Sequence, residues 1–121
     1  MSKKTAVIGA SSNPQRYSFL ATNMLLENKH EVLPLGIKKG EINGENIITK
    51  WPSSIADLDT VTMYIGPKNQ PEHYAYILGL KPKRIIFNPG TENPELSALA
   101  NIQGIETIEA CTLVMLRTNQ F

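Results

Sequence analysis

The feature that most restricts this chain is an alternation of two hydrophobic periods. Short apolar and β-branched runs occupy residues 5–8, 31–35, 60–65, 84–87 and 105–109. Runs of that kind, about 4–8 residues long and bounded by turn signals, mark strands buried on both faces. Between them lie stretches with helical spacing. Residues 17–28 place Phe19 or Leu20, Met24 and Leu25 on one side, with Ser18 as the capping residue and Asn28-Lys29 as the stop. Residues 71–80 read as a helix with Pro71 in its first turn and Tyr74, Ile77 and Leu78 together. Residues 94–103 read as another helix, ended by Gly104, and residues 111–117 begin a last one. Pro52-Ser53-Ser54 ahead of residues 55–58 suggests a short capped helix. Residues 36–50 are polar and glycine-rich, an excursion with a hairpin turn at Asn43-Gly44. Pro34 lacks an N–H donor, which suits a strand end or a sheet edge.

Strands alternating with helices over 121 residues imply one domain, residues 1–121. The fold class is α/β: a mainly parallel sheet of five strands, doubly wound, with helices on both faces. Such sheets bind ligands beyond the C-terminal strand ends, near the point where strand order reverses. The loops to inspect are therefore residues 9–14, 36–39, 66–69, 88–91 and 110–112.

Charge and composition narrow the partners. Twelve basic and eleven acidic residues leave a formal charge of +1. No bulk attraction for nucleic acid or an anionic membrane follows, although a local patch can still hold a phosphorylated small molecule. No apolar run approaches the roughly 20 residues of a membrane span. The first apolar run is too short for a secretory signal. A lone cysteine, Cys111, excludes an intrachain disulfide and a cysteine-based metal cluster. His30 and His73 are too few and too scattered for a zinc site. The expectation is a reduced, soluble, cytoplasmic protein whose partner is a small molecule, with no nucleic acid, no membrane and no metal. A homodimer is compatible with this composition.

The first loop carries the strongest local signal. Gly9 allows a sharp turn, and Ala10 and Ser11 are small enough for a phosphate to approach the backbone. The amides of residues 9–13 and of the following helix start would donate to an anion. Ser11, Ser12 and Ser18 add hydroxyls, and Arg16 a cationic fork. The loop is not G-x-G-x-x-G, since Ser11 stands at the second glycine position and Pro14 at the third, and no P-loop lysine follows. Phosphate binding and a plain tight turn explain it equally well.

Lys38 and Lys39 follow the second strand, where an NAD enzyme would prefer an acidic residue for its ribose. Their charge disfavours NAD and suits a ribose phosphate: the 3′-phosphate of CoA or the 2′-phosphate of NADP. A solvated loop is the plain alternative. Asn88-Pro89-Gly90 follows the fourth strand, where it is either a ligand-facing loop or a simple turn. Cys111 begins the last helix, where a thiol pKa can fall. Its plain reading, a small buried side chain, is preferred. His73 has no acid–base partner at a useful spacing, His30 reads as solvated, and Trp51 reads as a packing anchor. Glu106 and Glu109 lack a paired carboxylate. With no nucleophile–base–orienter trio, a binding module is favoured over an enzyme.

The run Ala6-Val7-Ile8-Gly9-Ala10-Ser11-Ser12-Asn13-Pro14, followed by Arg16-Tyr17-Ser18, resembles the start of the small bacterial CoA-binding proteins. These are Rossmann-like domains similar to the CoA-binding domain of the succinyl-CoA synthetase alpha subunit. The likeness continues through Val32-Leu33-Pro34-Leu35, Ile42-Asn43-Gly44-Glu45, residues 52–58, Gly104-Ile105-Glu106 and Glu109-Ala110-Cys111-Thr112. The resemblance implies a Rossmann-like three-layer αβα fold that holds CoA across the strand ends. It puts the pyrophosphate at Gly9, Ala10, Ser11, Ser12 and Asn13, with Arg16 and Tyr17 nearby. Lys38 and Lys39 would face the nucleotide, and Ile65-Gly66-Pro67 and Asn88-Pro89-Gly90 would meet the ligand. Cys111 is a further candidate site residue, whose thiol, if reactive, could form a mixed disulfide with CoA. Adenine would lie against residues 35–37 and 65–67. An NADP-binding protein or oxidoreductase fragment is the alternative. The chain departs from the family pattern at Gly66-Pro67-Lys68, where an aromatic or Val and then Arg or Pro is common. It departs again at Asn88-Pro89-Gly90, where Gln-Leu-Gly is common.

Overall fold

A computed structural model describes residues 2–121. The chain runs β1 (Thr5–Ile8), α1 (Tyr17–Glu27), β2 (Val32–Leu35), β3 (Glu41–Ile42), β4 (Glu45–Asn46), β5 (Thr60–Met63), α2 (Tyr74–Gly79), β6 (Arg84–Phe87), α3 (Pro94–Ile102), β7 (Glu106–Glu109) and α4 (Thr112–Arg117). Five strands form one parallel sheet in the order β2-β1-β5-β6-β7. The expected doubly wound α/β, Rossmann-like architecture is present. The strands start level, with Thr5 beside Val32 and Thr60, and Arg84 beside Thr60 and Glu106.

β1, β5 and the last three residues of β6 are buried throughout because both sheet faces are covered. Alternate residues feed two cores. Ala6, Ile8, Val61, Met63, Ile85 and Phe87 pack with Ile77 of α2 and Leu96 and Ala100 of α3. Val7 and Val32 join Leu25 of α1, Leu116 of α4, and Ile42 and Ile47 of the excursion. α1 buries Ser18, Ala21, Thr22 and Leu25, a stripe of mostly small residues, while Leu20 stays 38% exposed. Ser18 therefore lies inside the helix on its buried face, and Arg16 holds the cap position without a side-chain bond. α3 is capped as its sequence suggests: Pro94 opens it, and Asn93 Oδ1 accepts from the Leu96 N–H at 3.1 Å.

The excursion forms the antiparallel hairpin β3–β4. Asn43 (φ 48°) and Gly44 (φ 87°) are both left-handed, as a type I′ turn requires. Pro34 sits on the edge strand β2. Its carbonyl accepts from the Ile48 N–H at 2.8 Å, so its donorless nitrogen faces the outer edge, where no strand needs it.

Two expected helices differ. Residues 55–58 form no helix, and Asp57 is left-handed at φ 58°. Ile55 and Leu58 are still buried, so their i, i+3 spacing reflects a turn that dips twice into the core. The stretch 71–80 begins as a 3₁₀ turn at Pro71–His73, follows another at Pro67–Asn69, and becomes α-helical only at Tyr74. Each 3₁₀ turn opens on a proline, which has no N–H to give to a preceding turn. His30 is half-buried rather than fully solvated. Its Nδ1 accepts from the Lys3 N–H at 2.9 Å, and its ring packs on Phe121. The Arg84 guanidinium lies 4.5 Å over the same Phe121 ring.

Candidate functional site

The order β2-β1-β5 places the reversal of winding between β1 and β5. A cleft of about 670 Å³ opens there, beyond the strand ends. One wall is the loop after β1, with Gly9, Ala10, Ser11 and Ser12, leading to Arg16, Tyr17 and Ser18 at the start of α1. Gly36, Ile37 and Lys38 come from the loop after β2. The opposite wall is Tyr64, Ile65 and Gly66 after β5 and Pro89, Gly90 and Thr91 after β6.

Two glycines set the shape of the first loop. Gly9 has φ +100°, and a Cβ there would lie 2.9 Å from the Tyr64 carbonyl oxygen. A side chain at Gly9 would therefore strike the neighbouring β5 loop rather than block a ligand. At Gly36 a Cβ would lie 2.6 Å from the Ala10 carbonyl oxygen. The loops after β1, β2 and β5 thus meet backbone to backbone.

The amides of the first loop divide into used and free. The Gly9 and Ala10 N–H groups both donate to the Leu35 carbonyl, at 3.0 and 2.9 Å. The Asn13 N–H donates to Ser11 Oγ at 3.1 Å, and Asn13 Oδ1 accepts from Gln15 N–H at 3.0 Å. Asn13 therefore builds the turn and does not line the cleft. Helix bonding in α1 starts with Phe19 N–H to the Arg16 carbonyl, at 3.1 Å. The N–H groups of Ser11, Ser12, Tyr17 and Ser18 have no acceptor among the described residues. Unpaired donors at the first turn of an 11-residue helix, with Arg16 beside them, are free to meet an anion.

The lysine pair splits. Lys38 lines the cleft, whereas Lys39 lies over a separate shallow dent beside the hairpin, with Glu41, Asn46 and Thr49. Tyr17 and Ile37 stand 71% and 85% exposed at the rim. Pro67 starts the 3₁₀ turn behind Gly66. Asn88 is buried beneath its loop. Its Nδ2 donates to Thr62 Oγ1 at 2.7 Å and to the Met63 carbonyl at 2.9 Å, while its Oδ1 accepts from the Thr112 N–H at 2.9 Å. It ties the ends of β5 and β6 to α4, and leaves Pro89 and Gly90 at the cleft. Cys111 is half-buried at the cap position of α4 and does not line the cleft.

Several lining residues carry no sequence signal for a ligand role. Trp51 donates from Nε1 to the Gly36 carbonyl at 3.0 Å and packs on His73 and Tyr76, with ring centroids 5.1 and 5.4 Å away. It is the expected anchor, and it also stands in the cleft wall with His73 and Glu72. His73 Nε2 lies 3.7 Å from Glu72 Oε1. Tyr64 is half-buried, and burial, then the neighbouring Cys111, pushes its phenol well above the ordinary value, so it stays neutral. The only sequence signal for Tyr64 was its position at a strand end. Among the described residues no cluster of His, Cys, Asp or Glu could hold a metal ion, and no helix is long and apolar enough to cross a membrane.

A doubly wound parallel sheet with a cleft at its switch point defines a Rossmann-like class of α/β domain. The family model described as "CoA binding domain" matches residues 3–117, and the chain belongs to that family. No curated protein matches it. Among solved structures, an uncharacterised protein is 50% identical with a TM-score of 0.96, covering 100% of this chain and 99% of its own. A hypothetical protein from Pyrococcus horikoshii OT3 is 27% identical with a TM-score of 0.83, over 97% of this chain and 83% of that one. A protein from Thermus thermophilus, 24% identical with a TM-score of 0.80 over 99% and 91%, shares the fold.

Proposed function

We propose that the cleft binds CoA or an acyl-CoA, and holds it rather than transforming it. The observation that carries this reading is the set of four free N–H groups, Ser11, Ser12, Tyr17 and Ser18, beside Arg16. The diphosphate sits on these donors. Lys38 faces the 3′-phosphate from the far side of the same loop cluster. Adenine packs between Ile37 and Ile65, with the Trp51–His73 stack behind it. Family membership supports CoA over other nucleotides.

Lys38 would also suit the 2′-phosphate of NADP, so the deciding experiment compares ligands. Isothermal titration is run with CoA, dephospho-CoA, NADPH and NADH. CoA is expected to bind more tightly than dephospho-CoA, and NADH to give no heat. Heat with NADPH and none with CoA would replace the proposal by the NADP reading.

A further inference from the structure

One wholly buried polar side chain has no part in the reading above. Gln70 is 0% exposed and lies between the loops that follow β5 and β6. Its Nε2 donates to the Ile65 and Thr91 carbonyls, both at 2.8 Å, and its Oε1 accepts from Asn93 Nδ2 at 2.8 Å. Two carbonyls on one side fix which end of this amide is nitrogen. Asn93 is fixed in turn by its cap on α3 and by a 2.8 Å bond from Nδ2 to the Tyr74 hydroxyl. Gln70 is thus the clamp between the two loops that make the far wall of the cleft.

The clamp also sets the direction of a peptide. In a trans peptide the C=O and the next N–H point opposite ways, and the described residues have no cis bond. The Ile65 carbonyl points inward to Gln70, so the Gly66 N–H points outward. Gly66 lines the cleft, and its N–H meets no acceptor among the described residues. We propose that Gln70 is a positioning residue: it turns the Ile65–Gly66 peptide so that the Gly66 N–H stands in the cleft as a donor to an acceptor atom of the bound nucleotide. The inference rests on the reading of this cleft as a CoA site.

The test is amide NMR of the full chain titrated with CoA. In the wild type the Gly66 amide proton is expected to move downfield as CoA binds. Gln70→Leu, which keeps the volume and loses both donors, should lose that shift and bind CoA about tenfold more weakly. A second variant does not depend on how Gln70→Leu folds. Gly66 has φ −62° and ψ 155°, values open to proline, so Gly66→Pro removes the donor without straining this residue. It too should weaken CoA about tenfold. Three results would overturn the inference: CoA binding that leaves the Gly66 amide unmoved, a folded Gln70→Leu with wild-type shift and affinity, or a folded Gly66→Pro with wild-type affinity. A wild type that binds no CoA at all would overturn the CoA reading itself and this inference with it.

Discussion

Lys38 and Lys39 are adjacent in sequence, yet only Lys38 reaches the cleft. An exposed ammonium gains most where a phosphate accepts a charge-assisted bond. Lys38→Ala should therefore weaken CoA about five- to tenfold and dephospho-CoA much less, while Lys39→Ala leaves both titrations near wild type. Equal losses for the two variants would remove Lys38 from the phosphate. A second residue acts on stability. His30 accepts a hydrogen bond from a backbone N–H at Nδ1, which only the neutral ring can do. Burial, then nearby positive charge including Lys3 and Arg84, lowers its pKa below 6.5. The unfolded chain then takes the proton first, so the contribution is full above pH 6.5 and is lost as pH falls from there toward the lower folded value. Urea melts at pH 7.5 and 5.5 should show this loss, and His30→Asn, whose amide oxygen replaces Nδ1, should flatten it. The division of the lysines and the pairing of His30 were hidden in the sequence, because both depend on which way a loop turns in space.

The hairpin β3–β4 does not line the cleft, yet it backs the first loop. A Cβ on Gly40 would lie 2.7 Å from Ser12 Cβ, and Ile42 and Ile47 are buried in the core shared with α1. Replacing Asn43-Gly44 by Ala-Ala strains two left-handed positions, at about 1 kcal/mol each. CoA affinity should fall with the thermal midpoint, because the support of Ser12 loosens. A lower midpoint with unchanged affinity would show that the hairpin is mere decoration. Elements were legible wherever burial is continuous: residues 84–87 were read with correct limits, since both faces of β6 are covered. The segment 55–58 was misread because two buried residues three apart imitate a helix face. The clamp at Gln70 had no signature, for a lone glutamine in a polar loop carries no period.

The free donors of the first loop and the cleft-lining Arg16 and Lys38 stand at one end of the sheet, and the His30–Phe121–Arg84 packing at the other. Ligand binding and acid stability should therefore respond to different mutations. Binding also feeds back on the whole fold by mass action. Free CoA at a hundred times its Kd should stabilise the native state by about 2.7 kcal/mol. For a domain of this size that corresponds to a rise of about 10 °C in thermal midpoint. No rise at that excess would mean that CoA does not select the folded form. The fold class could be read from the alternation of periods, whereas the division of the first-loop amides into used and free could not. Gly9 and Ala10 are withdrawn from the expected donors because the Leu35 carbonyl, at a neighbouring strand end, captures both amides.

Trp51 is the only tryptophan in the chain, and its indole stands in the cleft wall, tethered to the Gly36 carbonyl. Its emission spectrum is therefore a built-in gauge of occupancy: a nucleobase seated against it should quench or shift the fluorescence of unlabelled protein, and a ligand that binds elsewhere should leave the spectrum unchanged.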